Sequence, residues 1–172
     1  MSYINIEIKA RTGNAAFVRE YLRKAGADFK GTDIQTDTYF MVPSGRLKLR
    51  QGKIENNLIY YDRPDQEGPK QSDFMLTPVQ DGEGLKAILT KALGVKVTVV
   101  KTREIYYIDN IKFHIDTLEG LGNFVEIEAG NKLADVSVEK LHEQCAFYMK
   151  EFGIGEEDLI SNSYSDMMLE KK

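Results

Sequence analysis

Five short segments of this chain place charge at every second position. Glu7, Lys9 and Arg11 alternate with Ile8 and Ala10; Arg46, Lys48 and Arg50 alternate with Leu47 and Leu49. Lys101 and Arg103 flank Thr102, His114 and Asp116 flank Ile115, and Glu126 and Glu128 flank Ile127. A spacing of two puts each set on one face of a β-strand, with successive members ~7 Å apart. The sign is sorted by segment: basic at 46–50 and 101–103, acidic at 126–128, mixed in the first. Arginine and lysine in such density suit the oxygens of a polyphosphate. Carboxylates beside a polyanion repel it unless a cation lies between them, and hard oxygen ligands with phosphate imply Mg²⁺ or Mn²⁺. Glu7, Glu126 and Glu128 therefore read as a metal site, not as a general acid and base.

That chemistry needs the charged faces to meet. A single charged strand face is ordinarily solvated. Five of them, each backed by aliphatic or aromatic residues, fit a different arrangement: apolar faces under external helices and charged faces lining one interior. Lys9, Arg11, Arg46, Lys48, Arg50, Arg63, Lys101 and Arg103 are the basic candidates for that lining. Glu7, Asp116, Glu126 and Glu128 are the acidic ones. Bases outnumber acids two to one there, although the whole chain is −4. An unpaired dry ion costs several kcal/mol, so this interior must hold water and a charged ligand.

Strands are expected over 2–11, 35–42, 46–50, 58–63, 72–79, 95–109, 111–118 and 124–130. Helices are expected over about 15–26, capped by Asn14, 83–93, capped by Asp81, and from Ser137 to about Glu151. Phe17, Val18, Tyr21 and Leu22 form the stripe of the first, and Leu85, Ile88, Leu89 and Leu93 that of the second. Pro64 to Lys70 reads as a loop, and the tail, from about 167, as frayed. Many consecutive antiparallel strands favour a closed barrel, which removes exposed edges. The expected fold is α+β, an eight-stranded antiparallel β-barrel with helices packed outside, in a single domain over 1–172.

The 172 residues suit one core, with 42% apolar and 29% charged. No apolar run is long enough to cross a membrane, and MSYINIEIKA lacks the pattern of a signal peptide. Cys145 stands alone, compatible with a reducing cytoplasm, and its place on a helical face suits a small core residue. Net negative charge argues against a nucleic-acid partner. Gly120 and Gly122 belong to a turn, since no helix follows directly. His114 suits either a proton shuttle or a structural role in a polar lining. Tyr39, Phe40, Tyr60, Tyr61 and Phe74 are stacking candidates for a base, although such rings are more often core.

With those residues in hand, the chain resembles the CYTH family, the triphosphate tunnel metalloenzymes, over roughly 2–166. Its N-terminal Glu-x-Glu-x-Lys signature matches Asn5-Ile6-Glu7-Ile8-Lys9. QTDTYF, RLKLR, Lys101-x-Arg103, Asp116 and Glu126-x-Glu128 follow in the family's order. RPDQEGPKQSD, Arg63 to Asp73, and SYSD, Ser163 to Asp166, look like the class IV adenylyl cyclase-like subgroup. The resemblance implies a tunnel in which Lys9, Arg46, Lys48, Arg50, Arg63, Lys101 and Arg103 contact a triphosphate. Glu7, Asp116, Glu126 and Glu128 would hold Mg²⁺ or Mn²⁺, and Lys9, Lys101 and Arg103 would be catalytic. Asn5 departs from the signature's first glutamate: its amide oxygen ligates Mg²⁺ without the negative charge, so weaker metal binding or loss of one of two sites is expected. A homodimer is plausible from the resemblance alone.

The expected substrate is ATP or a polyphosphate. In a cyclase the ribose 3′-oxygen attacks the α-phosphorus and pyrophosphate leaves. In a triphosphatase acting on tripolyphosphate, thiamine triphosphate or a nucleotide, water attacks the terminal phosphorus, and the same residues serve both. A noncatalytic polyphosphate or nucleotide sensor stays open through Asn5. A lipocalin-like barrel is disfavoured, because it needs an apolar interior.

Overall fold

In a computed structural model, residues 3–64 and 66–171 are described. Ser2 of the expected first strand, Asp65 of the expected loop and Lys172 of the expected tail lie outside the described residues. The elements are β1 (Tyr3–Arg11), α1 (Ala15–Lys24), β2 (Asp28–Phe40), β3 (Arg46–Gln51), β4 (Asn56–Asp62), β5 (Lys70–Pro78), α2 (Gly82–Leu93), β6 (Val95–Ile108), β7 (Ile111–Leu118), β8 (Gly122–Gly130), α3 (Val138–Glu151) and α4 (Tyr164–Glu170), with a 3-10 turn at Glu156–Asp158. The eight strands close in the order β1-β5-β4-β3-β2-β6-β7-β8, every neighbour antiparallel. β1 supplies the closure by pairing with both β5 and β8. An eight-stranded barrel is just wide enough to be filled by side chains or to hold one small ligand.

Strand alternation decides what fills it. On β1, β7 and β8 the residues Ile6, Ile8, Ile111, Phe113, Ile115, Val125, Ile127 and Ala129 face outward and are buried under Val18 and Leu22 of α1 and Leu141 and Cys145 of α3. Phe113 is fully buried, edge-on to Tyr148 and Phe152; truncating such a ring costs about 3–5 kcal/mol. With the apolar faces covered on this side, the alternate positions point into the barrel. Asn14, Asp81 and Ser137 each accept a hydrogen bond from a first-turn backbone N–H of their helix, as their side chains dictate.

Three expectations are corrected. β2 begins at Asp28, not Gln35: Gly31, at φ +122°, accommodates a register shift against β6, which breaks the alternation a strand normally displays. α2 buries none of its residues, and Ile88 is exposed, so its stripe does not seal the barrel wall. The tail is ordered as α4, where Tyr164 and Met167 are buried against Tyr39, Val97, Val99, Leu118 and Phe124. Those partners sit on inward strand positions, so α4 packs against the barrel interior instead of its outer wall. Its start is fixed by a capping box between Ser163 and Asp166. Among the described residues no helix is long and apolar enough to cross a membrane.

Candidate functional site: a charged tunnel

The barrel encloses a cavity of about 280 Å³. Among the described residues, Lys9, Lys48, Arg50, Arg63, Lys101, Arg103, Lys112 and Lys132 line it together with Glu7, Asp37, Glu55, Glu126 and Glu128. The charged faces of β1, β3, β6 and β8 thus converge. Ile59, Phe74, Leu76 and Pro78 of β4 and β5 form a more apolar stretch of the wall, beside Tyr39 and Tyr61. Of the expected site residues, Glu7, Lys9, Lys48, Arg50, Arg63, Lys101, Arg103, Glu126 and Glu128 line the cavity; Arg46 and Asp116 do not. Arg11 is exposed and donates to the Leu121 carbonyl at 2.8 Å. Arg46 pairs instead with Asp166 of α4 at 2.8 Å. Tyr60, proposed for stacking, donates to the Ser44 carbonyl outside.

Asp37 sits at the centre of the basic cluster. Arg50 donates to both of its oxygens, at 2.9 and 2.8 Å, Lys101 donates at 2.7 Å, and Lys48 lies 3.6 Å away. Burial would raise this carboxyl's pKa; Arg50, Lys101 and Lys48 outweigh burial and hold it well below the usual range. One carboxylate thus gathers three cations and neutralises one of them. Burial pushes Lys101 down to about 7 in spite of Asp37, with Arg103, Arg50 and Lys48 adding to the shift.

Arg103 makes a second two-point pair, donating to both oxygens of Asp116 at 2.8 and 2.7 Å. The Tyr164 hydroxyl donates to the same carboxylate at 2.8 Å. Asp116 is fully buried, and these three bonds occupy both its oxygens. Lys9 lies 3.6 Å from Glu126 and 3.7 Å from the centre of the Tyr164 ring. Burial pushes it down to about 7. Arg63 pairs with Glu7.

The acidic side is built across β7, β8 and β1. His114 Nδ1 lies 3.1 Å from Glu126 and 3.8 Å from Glu128, and the ligand atoms of all three fall within 4.8 Å of one another. Glu7 stands opposite Glu128 in the β1–β8 register. Burial, then Glu7 and Glu126, push Glu128 up to about 7 against the smaller opposing pull of Lys112 and Arg103. Burial pushes His114 down to about 3, so the imidazole is neutral. This donor set fits a hard divalent cation, which would relieve the repulsion among the carboxylates.

Residues 3–164 match the model of the CYTH domain. The chain belongs to the CYTH family. A Methanocaldococcus jannaschii protein named "Putative adenylate cyclase MJ0240" is 29% identical over 175 residues, covering 95% of this chain and 98% of the other. The PH1012 protein of Pyrococcus horikoshii OT3 superposes with a TM-score of 0.79 at 26% identity, covering 94% and 98% of the two chains. The Hippeastrum protein HpAC1, reported with a dominant triphosphatase activity, superposes with a TM-score of 0.61 at 15% identity over 94% and 91%, a likeness of fold alone. The eight-stranded tunnel is thus the CYTH barrel.

Residues that residue order gave no separate role also line this CYTH tunnel. Asp37 was quoted only within QTDTYF, Glu55 comes from the β3–β4 loop, Lys112 from the start of β7, and Tyr164 from α4. The alternation of Lys112 with His114 and Asp116 was a usable signal; Glu55 had none.

Proposed function

We propose that this chain holds a triphosphate-bearing substrate with a divalent cation inside the tunnel and converts ATP to cyclic AMP and pyrophosphate. The supporting observation is one cavity in which a cluster of bases faces a cluster of carboxylates, beside an apolar wall. The cation-rich side suits the phosphates, and Ile59, Phe74 and Leu76 suit a nucleoside. The resemblance to a relative named for adenylate cyclase supports the same substrate class.

Glu7, Glu126 and Glu128 would hold Mg²⁺ or Mn²⁺, which would supply charge neutralisation on the phosphoryl oxygens. Lys48, Arg50 and Lys101, gathered by Asp37, bind one stretch of the polyphosphate. Arg103 and Lys9, on either side of Glu126, stabilise charge that develops as the Pα–O bond to pyrophosphate breaks and the bond from the ribose 3′-oxygen forms, its hydroxyl proton passing to water. Asp116 acts through Arg103, by orienting the guanidinium, and not as a metal ligand. Arg46 acts through α4, by pairing with Asp166.

A triphosphatase uses the same groups with water attacking the terminal phosphorus, a reading supported by the activity reported for HpAC1. Incubation with ATP, tripolyphosphate and thiamine triphosphate, each with Mg²⁺ or Mn²⁺, separates the readings. Cyclic AMP with pyrophosphate supports the cyclase, and orthophosphate the triphosphatase. Binding without turnover of any of the three contradicts both and leaves a sensor.

A further inference from the structure

Glu55 is not part of any strand, yet its side chain reaches into the barrel. It lies in the β3–β4 loop and touches three other staves of the wall. Gln35 of β2 donates to its Oε1 at 2.8 Å, Arg50 of β3 lies 3.6 Å from the same oxygen, and Lys112 of β7 pairs with the other. Since β3, β2, β6 and β7 are consecutive in the barrel, this one carboxylate spans from the loop to the third strand beyond it.

The loop is built to hold it there. The buried Asp33 carboxylate accepts backbone N–H bonds from Lys53, Ile54 and Glu55 at 2.8, 3.2 and 3.2 Å. A Cβ on Gly52 would fall 2.4 Å from Asp33 Oδ2, so the close approach needs glycine at that position. Lys112 and Arg50 outweigh burial and keep Glu55 ionised. An anion is therefore fixed between Arg50 and Lys112, and Lys112 would otherwise accept a further phosphate.

We propose that Glu55 sets the length of polyphosphate that the tunnel accepts: its carboxylate occupies the subsite at Lys112, next to the Arg50 that binds the triphosphate, and stops a longer chain from entering it. This rests on the triphosphate reading above. By bulk electrostatics a fourth phosphate should tighten binding, because it adds charge to a polyanion entering a cationic cavity. With Glu55 in place that gain is withheld.

The test is calorimetric titration of the full chain with linear tripolyphosphate and linear tetrapolyphosphate. The wild type is expected to bind the two within about threefold of each other. Glu55→Gln is expected to bind tetrapolyphosphate at least tenfold tighter than tripolyphosphate, and adding Lys112→Ala to it should remove that preference. Glu55→Ala serves if Glu55→Gln does not fold, since the Asp33 bonds to the loop backbone remain in both. A wild type that already favours the longer chain tenfold overturns the proposal. So does a Glu55→Gln variant that tightens both ligands equally, or a double variant that keeps the preference. A wild type that binds neither ligand overturns the triphosphate reading itself, a result distinct from the others.

Discussion

Lys101 donates to Asp37 Oδ2 at 2.7 Å, both side chains 1% exposed. The pair is not a closed salt bridge, because Arg50 and Lys48 share the same carboxylate. The surplus of positive charge is the feature a polyanion would complete.

Lys101 and Lys9, both pushed down to about 7 by burial, set the pH dependence of that completion. Each folded pKa lies below the ordinary 10.5, so the ammonium is present below pH 7 and is lost as pH rises past it. A bound triphosphate favours the charged form and draws a proton in. Titrations at pH 8 in buffers of differing ionisation enthalpy are expected to show proton uptake, with affinity falling from pH 7 to 9. Lys101→Met should lower the uptake, leaving the part that Lys9 contributes, and weaken binding by about 1–3 kcal/mol; an unchanged proton count would remove Lys101 from the site.

Removing the shared anion should do the reverse in the ligand-free protein. Asp37→Asn leaves Arg50, Lys101 and Lys48 facing one another in a buried place. We expect a loss of about 3–5 kcal/mol in urea unfolding. Added tripolyphosphate should recover more stability in this variant than in the wild type, because it replaces the missing charge.

The acidic cluster predicts metal behaviour. Glu126→Gln and Glu128→Gln should each weaken Mn²⁺ binding by at least about tenfold, read by electron paramagnetic resonance of free Mn²⁺, a loss at the scale of removing a metal-site partner. Asn5→Asp, which restores a charge beside Glu7 on the lining of the cavity, should tighten it. No change in either would separate these carboxylates from the cation.

The C-terminal helix can be tested through one hydroxyl. Tyr164→Phe removes the bond to Asp116 and should cost about 1 kcal/mol of stability. It should also weaken triphosphate binding if Arg103 depends on Asp116 being held. Loss of stability with unchanged binding would make the contact purely structural.

How much of this could be read from residue order depends on where the signal lay. The inward set of β1, β3 and β8 is visible because charge and aliphatic residues alternate without interruption, and a closed barrel follows from the run of consecutive antiparallel strands. The first half of β2 is not, because the shift at Gly31 breaks the period. Asp37 was hidden among neutral neighbours: the inward positions Gln35, Asp37 and Tyr39 carry one charge, so no pattern announced it. Glu55 depends on Asp33 folding a loop back over the barrel, a contact no local spacing encodes. Helix α4 was readable and overlooked, since Ser163 and Asp166 form the S-x-x-D start signal and Tyr164, Met167 and Met168 follow at helical spacing. Asp116 shows the other limit. The family resemblance implies a metal ligand there, and only the geometry reveals that Arg103 and Tyr164 take up its oxygens.

The most direct test of the account is a calorimetric titration with a non-hydrolysable ATP analogue and Mn²⁺. It compares the wild type, Arg103→Ala inside the tunnel and Lys24→Ala on the exposed end of α1. The account predicts tight binding to the wild type and to Lys24→Ala, and at least tenfold weaker binding to Arg103→Ala in a protein that still folds. Equal affinity for all three, or no binding to the wild type, would contradict the assignment of the charged interior to a triphosphate.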